Sequence, residues 1–362
     1  MGTHPFEWKA PDVRTMAPVN LQRMVHRTVA LYSPVMCASP TPPRLPKVIL
    51  SSVVRSTHQG ESHGGVYLVD LETGGIQQVI DWNDPSISWE GRGADRGLRG
   101  IAFSGDRVFL AASDEVFVYD PSFWLQGSIK NRYLKHCHEI TVADDVLYMT
   151  STGFDSIIEY DLKRERFRRG YCLRFPRVWR ARRRLHVRPR PRLSVFDPEG
   201  DVGPALGDTC HVNNIVVEDG ALYVAGTGLG TLWRIRDSRL ERFARIPYGS
   251  HNARPFREGT LLNHTATDRI VSLDRSGRIV RSYPLATYDE RELINTGLSR
   301  DMARQAFGRG LAVVGDELIV GGSSPATVTA YRVEPPEMLR SINVSMDLRN
   351  SVHGLEAWPF DP

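Results

Sequence analysis

One unit recurs along this chain, and a recurring unit constrains a fold more than any local propensity does. Each copy has a polar start, an apolar strand, a short turn, a second apolar strand, a loop and a third strand. The third strands end at Asp70, Asp120, Asp161, Asp237 and Asp274, with Val328–Arg332 as a degenerate sixth. The second strands are 48–52, 108–113, 146–151, 221–226, 260–265 and 317–322. The dipeptides Gly105-Asp106, Asp144-Asp145, Asp219-Gly220, Glu258-Gly259 and Gly315-Asp316 precede five of them. Such dipeptides between alternating apolar runs mark hairpins.

The first strands open at Arg99, His138, His211, His251, Arg309 and His353, at spacings of 39, 73, 40, 58 and 44 residues. A period near 40 with several strands per unit is the pattern of a propeller. The sixth unit takes its first strand from 353–358 and its second from 48–52. We therefore expect an all-β chain: a six-bladed β-propeller over residues 47–362, closed by its N- and C-terminal strands in one blade. Residues 1–46 read as an extension and linker. The two long spacings hold an Arg-rich insertion, 163–209, and a rim insertion, 286–308, with helical character in Asp301–Phe307.

In a propeller the first strand of each blade lines the central channel, so its starting residues gather at one mouth. His138, His211, His251 and His353 are expected there, with Arg99 and Arg309 completing the ring. Imidazole is a common ligand for iron, zinc and copper. The leading expectation is thus a divalent metal ion held by these four histidines. Glu139 and Glu356 would transfer protons, and Arg99, Arg309, Asn213 and Asn252 would bind substrate. Asn213, Asn214 and Asn252 with Asp155 or Asp268 would suit calcium instead. A metal-free polar pocket and purely structural, strand-capping histidines are the alternatives. The arrangement resembles carotenoid-cleaving oxygenases only in its four histidines on a propeller axis; that family is longer and has seven blades. His264, further from the axis, reads as a core or hydrogen-bonding residue, and Cys137 and Cys210 as small packing residues.

Charge is uneven. Residues 163–192 hold fourteen Lys/Arg and one acid, Glu165, a local +13 in a chain of net +4, so the remainder carries −9. The arginines are interleaved with Tyr171, Phe175 and Trp179, a composition able to grip phosphate, nucleic acid or an acidic partner. The whole chain is 41% hydrophobic and 24% charged, which excludes a disordered or disulfide-scaffold chain. No apolar run reaches the ~18 residues of a membrane span. Thr28–Ala38 is a short apolar run broken by Pro34, and the four cysteines form no CxxC pair. A cytoplasmic location is expected, with secretion the lesser alternative. Gly-rich phosphate loops, nucleophile elbows and HExxH are absent.

Three strings resemble an uncharacterised bacterial six-bladed propeller family with CHLNG-type blade starts: Asp208–Gly226, Ser250–Asp274 and Gly308–Ser323. The resemblance implies the fold and a special status for His211, Asn213 and His251; it supplies no reaction. Asn214 stands where that family has Gly. Gluconolactonase-type propellers are only distantly similar. Together these readings lead us to expect a metal-dependent lyase, hydrolase or oxygenase acting on a small polar or anionic substrate at a His-lined channel mouth. The alternative is a non-catalytic scaffold gripping an acidic protein, glycan or nucleic acid through its Arg-rich insertion.

Overall fold

The computed structural model describes residues 43–58, 60–83, 97–176, 190–300 and 303–360. Expectations for the extension up to residue 42, for Trp179 and the centre of the basic run, and for residues 301 and 302 lie outside the described residues.

The described chain is all-β, in six antiparallel sheets arranged as a six-bladed propeller. The closing blade contains β1 (Lys47–Val54), β2 (Gly64–Asp70) and β3 (Ile76–Asp81). The second holds β4 (Ile101–Ser104), β5 (Arg107–Ala112), β6 (Glu115–Tyr119) and β7 (Leu125–Lys130). The third holds β8 (Ile140–Ala143), β9 (Val146–Ser151), β10 (Ser156–Asp161), β11 (Arg166–Arg174) and β12 (Arg192–Phe196). The fourth is β13 (Val212–Glu218), β14 (Ala221–Gly226), β15 (Thr231–Arg236) and β16 (Arg239–Arg245). The fifth is β17 (His251–Phe256), β18 (Gly259–His264), β19 (Arg269–Leu273) and β20 (Ile279–Pro284). The sixth is β21 (Leu311–Val314), β22 (Leu318–Ser323), β23 (Thr327–Arg332) and β24 (Glu337–Asn343). β25 (Asn350–Ala357) then returns to pair with β1 as the innermost strand of the closing blade, as the repeat requires.

The core follows from this stacking. Each blade is covered on both faces, so its inner strands are apolar at consecutive positions rather than alternate ones. Val48, Ile49 and Leu50 are all fully buried. Ile49 packs against the second blade with Val108 and Leu110, while Val48 and Leu50 pack against the sixth with Val320 and Val328. The described apolar clusters include one at every blade–blade junction, closing a ring.

The repeat pattern showed three strands per blade, and the structure has four in five blades and five in the third. The outermost strands carry little apolar signal because one edge and much of both faces meet solvent; β7 buries only Ile129. In the third blade the fourth strand is β11, with β12 outside it, so the basic run begins inside the blade rather than after it. The hairpin expected at Glu258-Gly259 turns at Arg257-Glu258, with Arg257 at φ 50°. Gly259 answers a different need: a Cβ there would meet the Leu273 carbonyl oxygen at 1.8 Å. The expected helical character of Asp301–Phe307 is absent from its described part, 303–307, which runs as turn and coil.

Candidate functional site at the channel mouth

The blade-start residues meet as the repeat implies, but their bonding differs from a ligand set. Arg99 Nη1 lies 2.7 Å from His138 Nε2, and Arg309 Nη1 lies 3.0 Å from His353 Nε2. A guanidinium only donates, so both Nε2 atoms accept. On the other side of His138, Nδ1 reaches the His136 carbonyl at 2.9 Å and Thr152 Oγ1 at 2.8 Å. Thr152 gives its own hydrogen to the Val212 carbonyl at 2.6 Å, so Nδ1 carries the proton. The His138 ring stands 5.4 Å from that of His211 and 5.9 Å from that of His353.

The local field is cationic. Burial, then Arg99, His211 and Arg309, holds His138 well below the ordinary imidazole pKa. Burial and then Arg309 does the same to His251, as do burial, Arg309 and Arg99 to His353. Three of the four imidazoles are therefore neutral at pH 7.

His211 is the exception in environment. It keeps about a third of its side chain exposed, and Nδ1 contacts both Asp208 oxygens, at 2.9 and 3.1 Å. That leaves Nε2 as the nitrogen not held by Asp208, the geometry of an imidazole polarised by a carboxylate. Its backbone sits at φ 50°, a left-handed conformation that something must hold. Asp155 supplies the hold: Oδ1 accepts from Cys210 N and His211 N, each at 2.9 Å, and Oδ2 from the backbone and hydroxyl of Thr209, each at 2.8 Å.

Two small cavities run down from the mouth and share Glu139 and Asn252. The upper one, about 10 Å³, is lined by His138, Asn213, His251, Arg309 and His353 as well, and has room for about one water centre. Neither amide atom of Asn213 has a hydrogen-bond partner there, and the His251 ring has only the Gly249 backbone to bond. The lower cavity, about 20 Å³, adds Glu356 and Arg254. Burial, and then the charge of Glu356, pushes the Glu139 carboxyl up to about 8; burial pushes Glu356 to about 7, with Arg254 opposing in both. Asn252 Nδ2 donates to Glu139 at 3.0 Å, its orientation set by Gly310 N and Asn263 Nδ2, each donating to Oδ1 at 3.1 Å.

The structure thus gathers Arg99, Arg309, His138, His251, His353, Asn213, Asn252 and Glu139 at or just below the mouth, places His211 beside His138, and sets Glu356 a step deeper. Among the described residues no three His, Cys, Asp or Glu side chains form a metal-ligating group. The four-histidine expectation meets a physical obstacle: the lone pairs of His138 and His353 are taken by guanidinium donors, and two cations already stand where a third would go. The calcium alternative fails at its acids. Asp155 spends its oxygens on four hydrogen bonds, and Asp268 pairs with Arg304. Asn214 donates to the Ala253 carbonyl. Cys137 and Cys210 are buried packing residues, and burial raises both thiols, Cys137 to about 12. His264 hydrogen-bonds the Thr267 hydroxyl.

Sequence reasoning missed Thr152, Asp208, Arg254 and Asn263. Asp208 was within reach, since it precedes His211 by three residues; the others lie on second strands, loops or mid-strand positions with no repeat signal. Among the described residues, the insertion meets the mouth loop through its tail, where Gly207 bonds the Gly153 carbonyl and Thr209 bonds Asp155. Within its described part, Arg164 pairs with Asp161, Arg169 with Glu159, and Arg190 with the Leu240 carbonyl.

No protein-family model matches the sequence, and no curated protein matches it. Solved structures match as folds. The nidogen/laminin complex superposes at TM-score 0.51 with 10% identity, covering 86% of this chain and 97% of the other. A protein of unknown function from Bacteroides caccae gives 0.50 with 11% identity, covering 87% and 100%. The WD40 β-propeller domain of Doa1 gives 0.40 with 13% identity, covering 70% and 72%. At such identities the likeness concerns the fold alone. No described helix is long and apolar enough to cross a membrane.

Proposed function

We propose that the chain is an acid–base enzyme whose channel mouth binds the anionic end of a small substrate, with His211 exchanging a proton with it. One observation carries this reading. His251 and Asn213 are buried and line the upper cavity, and Asn213 leaves both its amide atoms without partners inside a cationic field. Buried polar atoms are rarely left so, and a carboxylate or phosphate oxygen would accept from Asn213 Nδ2. Arg99 and Arg309 would stabilise its charge. His211, oriented by Asp208 and fixed by Asp155, presents Nε2 as the base. Proton abstraction beside a carboxylate, as in a lyase or isomerase step, needs these parts and no more.

A metal centre would require Arg99 and Arg309 to release His138 and His353. A scaffold gripping polyanions through the basic run has less support, because several of its described arginines are already committed within the third and fourth blades.

The test is calorimetric titration of the protein with acetate, phosphate and sulfate, beside elemental analysis. We expect saturable binding of at least one anion, weakened at least about tenfold in Arg309→Gln, an effect of more than about 1.4 kcal/mol. No anion binding would overturn the reading. So would a near-stoichiometric metal that disappears from folded His138→Ala and His353→Ala proteins.

A further inference from the structure

The upper cavity has room for one oxygen of a charged head and little else, yet a much larger space lies outside it. A groove of about 470 Å³ opens between the fifth blade and the rim insertion, with Leu285, Leu293, Leu298, Ala306 and Leu348 among its walls. That is the size of a small-molecule site. A single stretch, Arg304–Arg309, separates groove from mouth. Arg304 lines the groove, where it pairs with Asp268 and donates to the Thr265 carbonyl. The guanidinium of Arg304 also sits 5.0 Å from the Phe307 ring centroid, and the mouth residue Arg309 packs 4.9 Å from the same centroid. The His251 ring is 6.1 Å from it. Gly308 shows how thin the partition is. A Cβ there would meet Asn263 Oδ1 of the mouth network at 2.7 Å and Leu285 Cδ1 of the groove at 2.9 Å.

We propose that the groove is a second subsite for the apolar body of the substrate whose anionic end lies at the mouth, so that the substrate class is an amphipathic anion. The proposal rests on the anion reading above. Adjacency argues for it: Leu285 of the groove wall and Asn263 of the mouth network both crowd the one Cβ position of Gly308, and Phe307 packs against Arg304 of the groove and Arg309 of the mouth.

The experiment measures affinities of acetate, butyrate, hexanoate and octanoate for the full chain and for Thr296→Trp, which fills the groove from an exposed wall. Thr287→Trp serves as a second filler should the first fail to fold. In the wild type, affinity should climb with length by up to about fourfold per buried methylene, then level off. In the filled variant acetate should bind as before and the climb should be lost. Acetate binding with a flat series, or an equal climb in the filled variants, overturns the groove alone. No binding by any member overturns the mouth reading and the groove with it.

Discussion

Nη1 of Arg99 lies 2.7 Å from Nε2 of His138, its counterpart one blade further round the ring. The contact decides what this histidine can do. With Nδ1–H committed to the His136 carbonyl and Thr152, and Nε2 committed to a cation, His138 is a neutral positioning group between two blade starts. The same arrangement links Arg309 to His353, so the repeat places two guanidinium–imidazole pairs at one mouth.

That assignment predicts a single tautomer. ¹⁵N chemical shifts of the histidine rings should show His138 neutral and protonated on Nδ1 at pH 6, below the free imidazole value of about 6.5. A charged His138 at that pH, or an Nε2–H tautomer, contradicts it. Replacing Arg99 by Gln should raise its pKa, because a neighbouring cation is removed.

The carboxyls below the mouth predict an alkaline loss of stability. Glu139 is raised to about 8 and Glu356 to about 7, so the folded protein retains protons that the unfolded chain gives up near 4.5. Stability contributed by these groups is therefore complete at acid pH and is lost as pH rises through the folded values. The lowered histidines work in the opposite sense, costing stability as pH falls below about 6.5. Melting temperatures of the wild type and Glu139→Gln should diverge between about pH 4.5 and pH 8, with the wild type falling relative to the variant. Parallel curves would contradict this origin of the shift.

Asp155 predicts a large and graded effect. Asp155→Ala removes four hydrogen bonds and leaves backbone N–H groups of Cys210 and His211 unsatisfied, a loss of about 3 kcal/mol or more. Asp155→Asn should cost less, since Asn accepts at one oxygen and tolerates the left-handed backbone found here at φ 49°. Chemical denaturation measures both. Equal costs would mean that the hydrogen bonds to 209–211 are not what Asp155 contributes.

Ring closure predicts that the C-terminal strand is indispensable. Ser51 Oγ donates to the Arg99 carbonyl at 2.5 Å and accepts from Gly354 N at 2.8 Å, tying β1, β25 and the second blade together. Ser51→Ala should destabilise by about 1–3 kcal/mol. Ending the chain at residue 349 removes β25 and exposes its buried partners, and we expect no cooperative unfolding transition in circular dichroism. A native-like melt of the truncated chain would show that closure is dispensable.

Much of the fold was legible because burial on both blade faces writes continuous apolar runs into the inner strands, and the period of those runs counts the blades. The outer strands were not legible, since edge strands such as Leu125–Lys130 meet solvent and need no such run. The site was legible as positions: His138, His211, His251, His353, Arg99 and Arg309 share one register of the repeat. Their chemistry was not. A sequence lists donors and acceptors without saying which lone pair faces which proton.

By itself, then, the sequence determined the six-fold repeat, the closure between 48–52 and 353–358, and the residues that start each blade, because those depend on local pattern and register. Only the tertiary structure decided that Arg99 and Arg309 occupy the nitrogens a metal would need, that Asp208 and Asp155 single out His211, and that Gly308 keeps a groove against the mouth. Those relationships join residues from different blades, and their distances are set by packing around a ring.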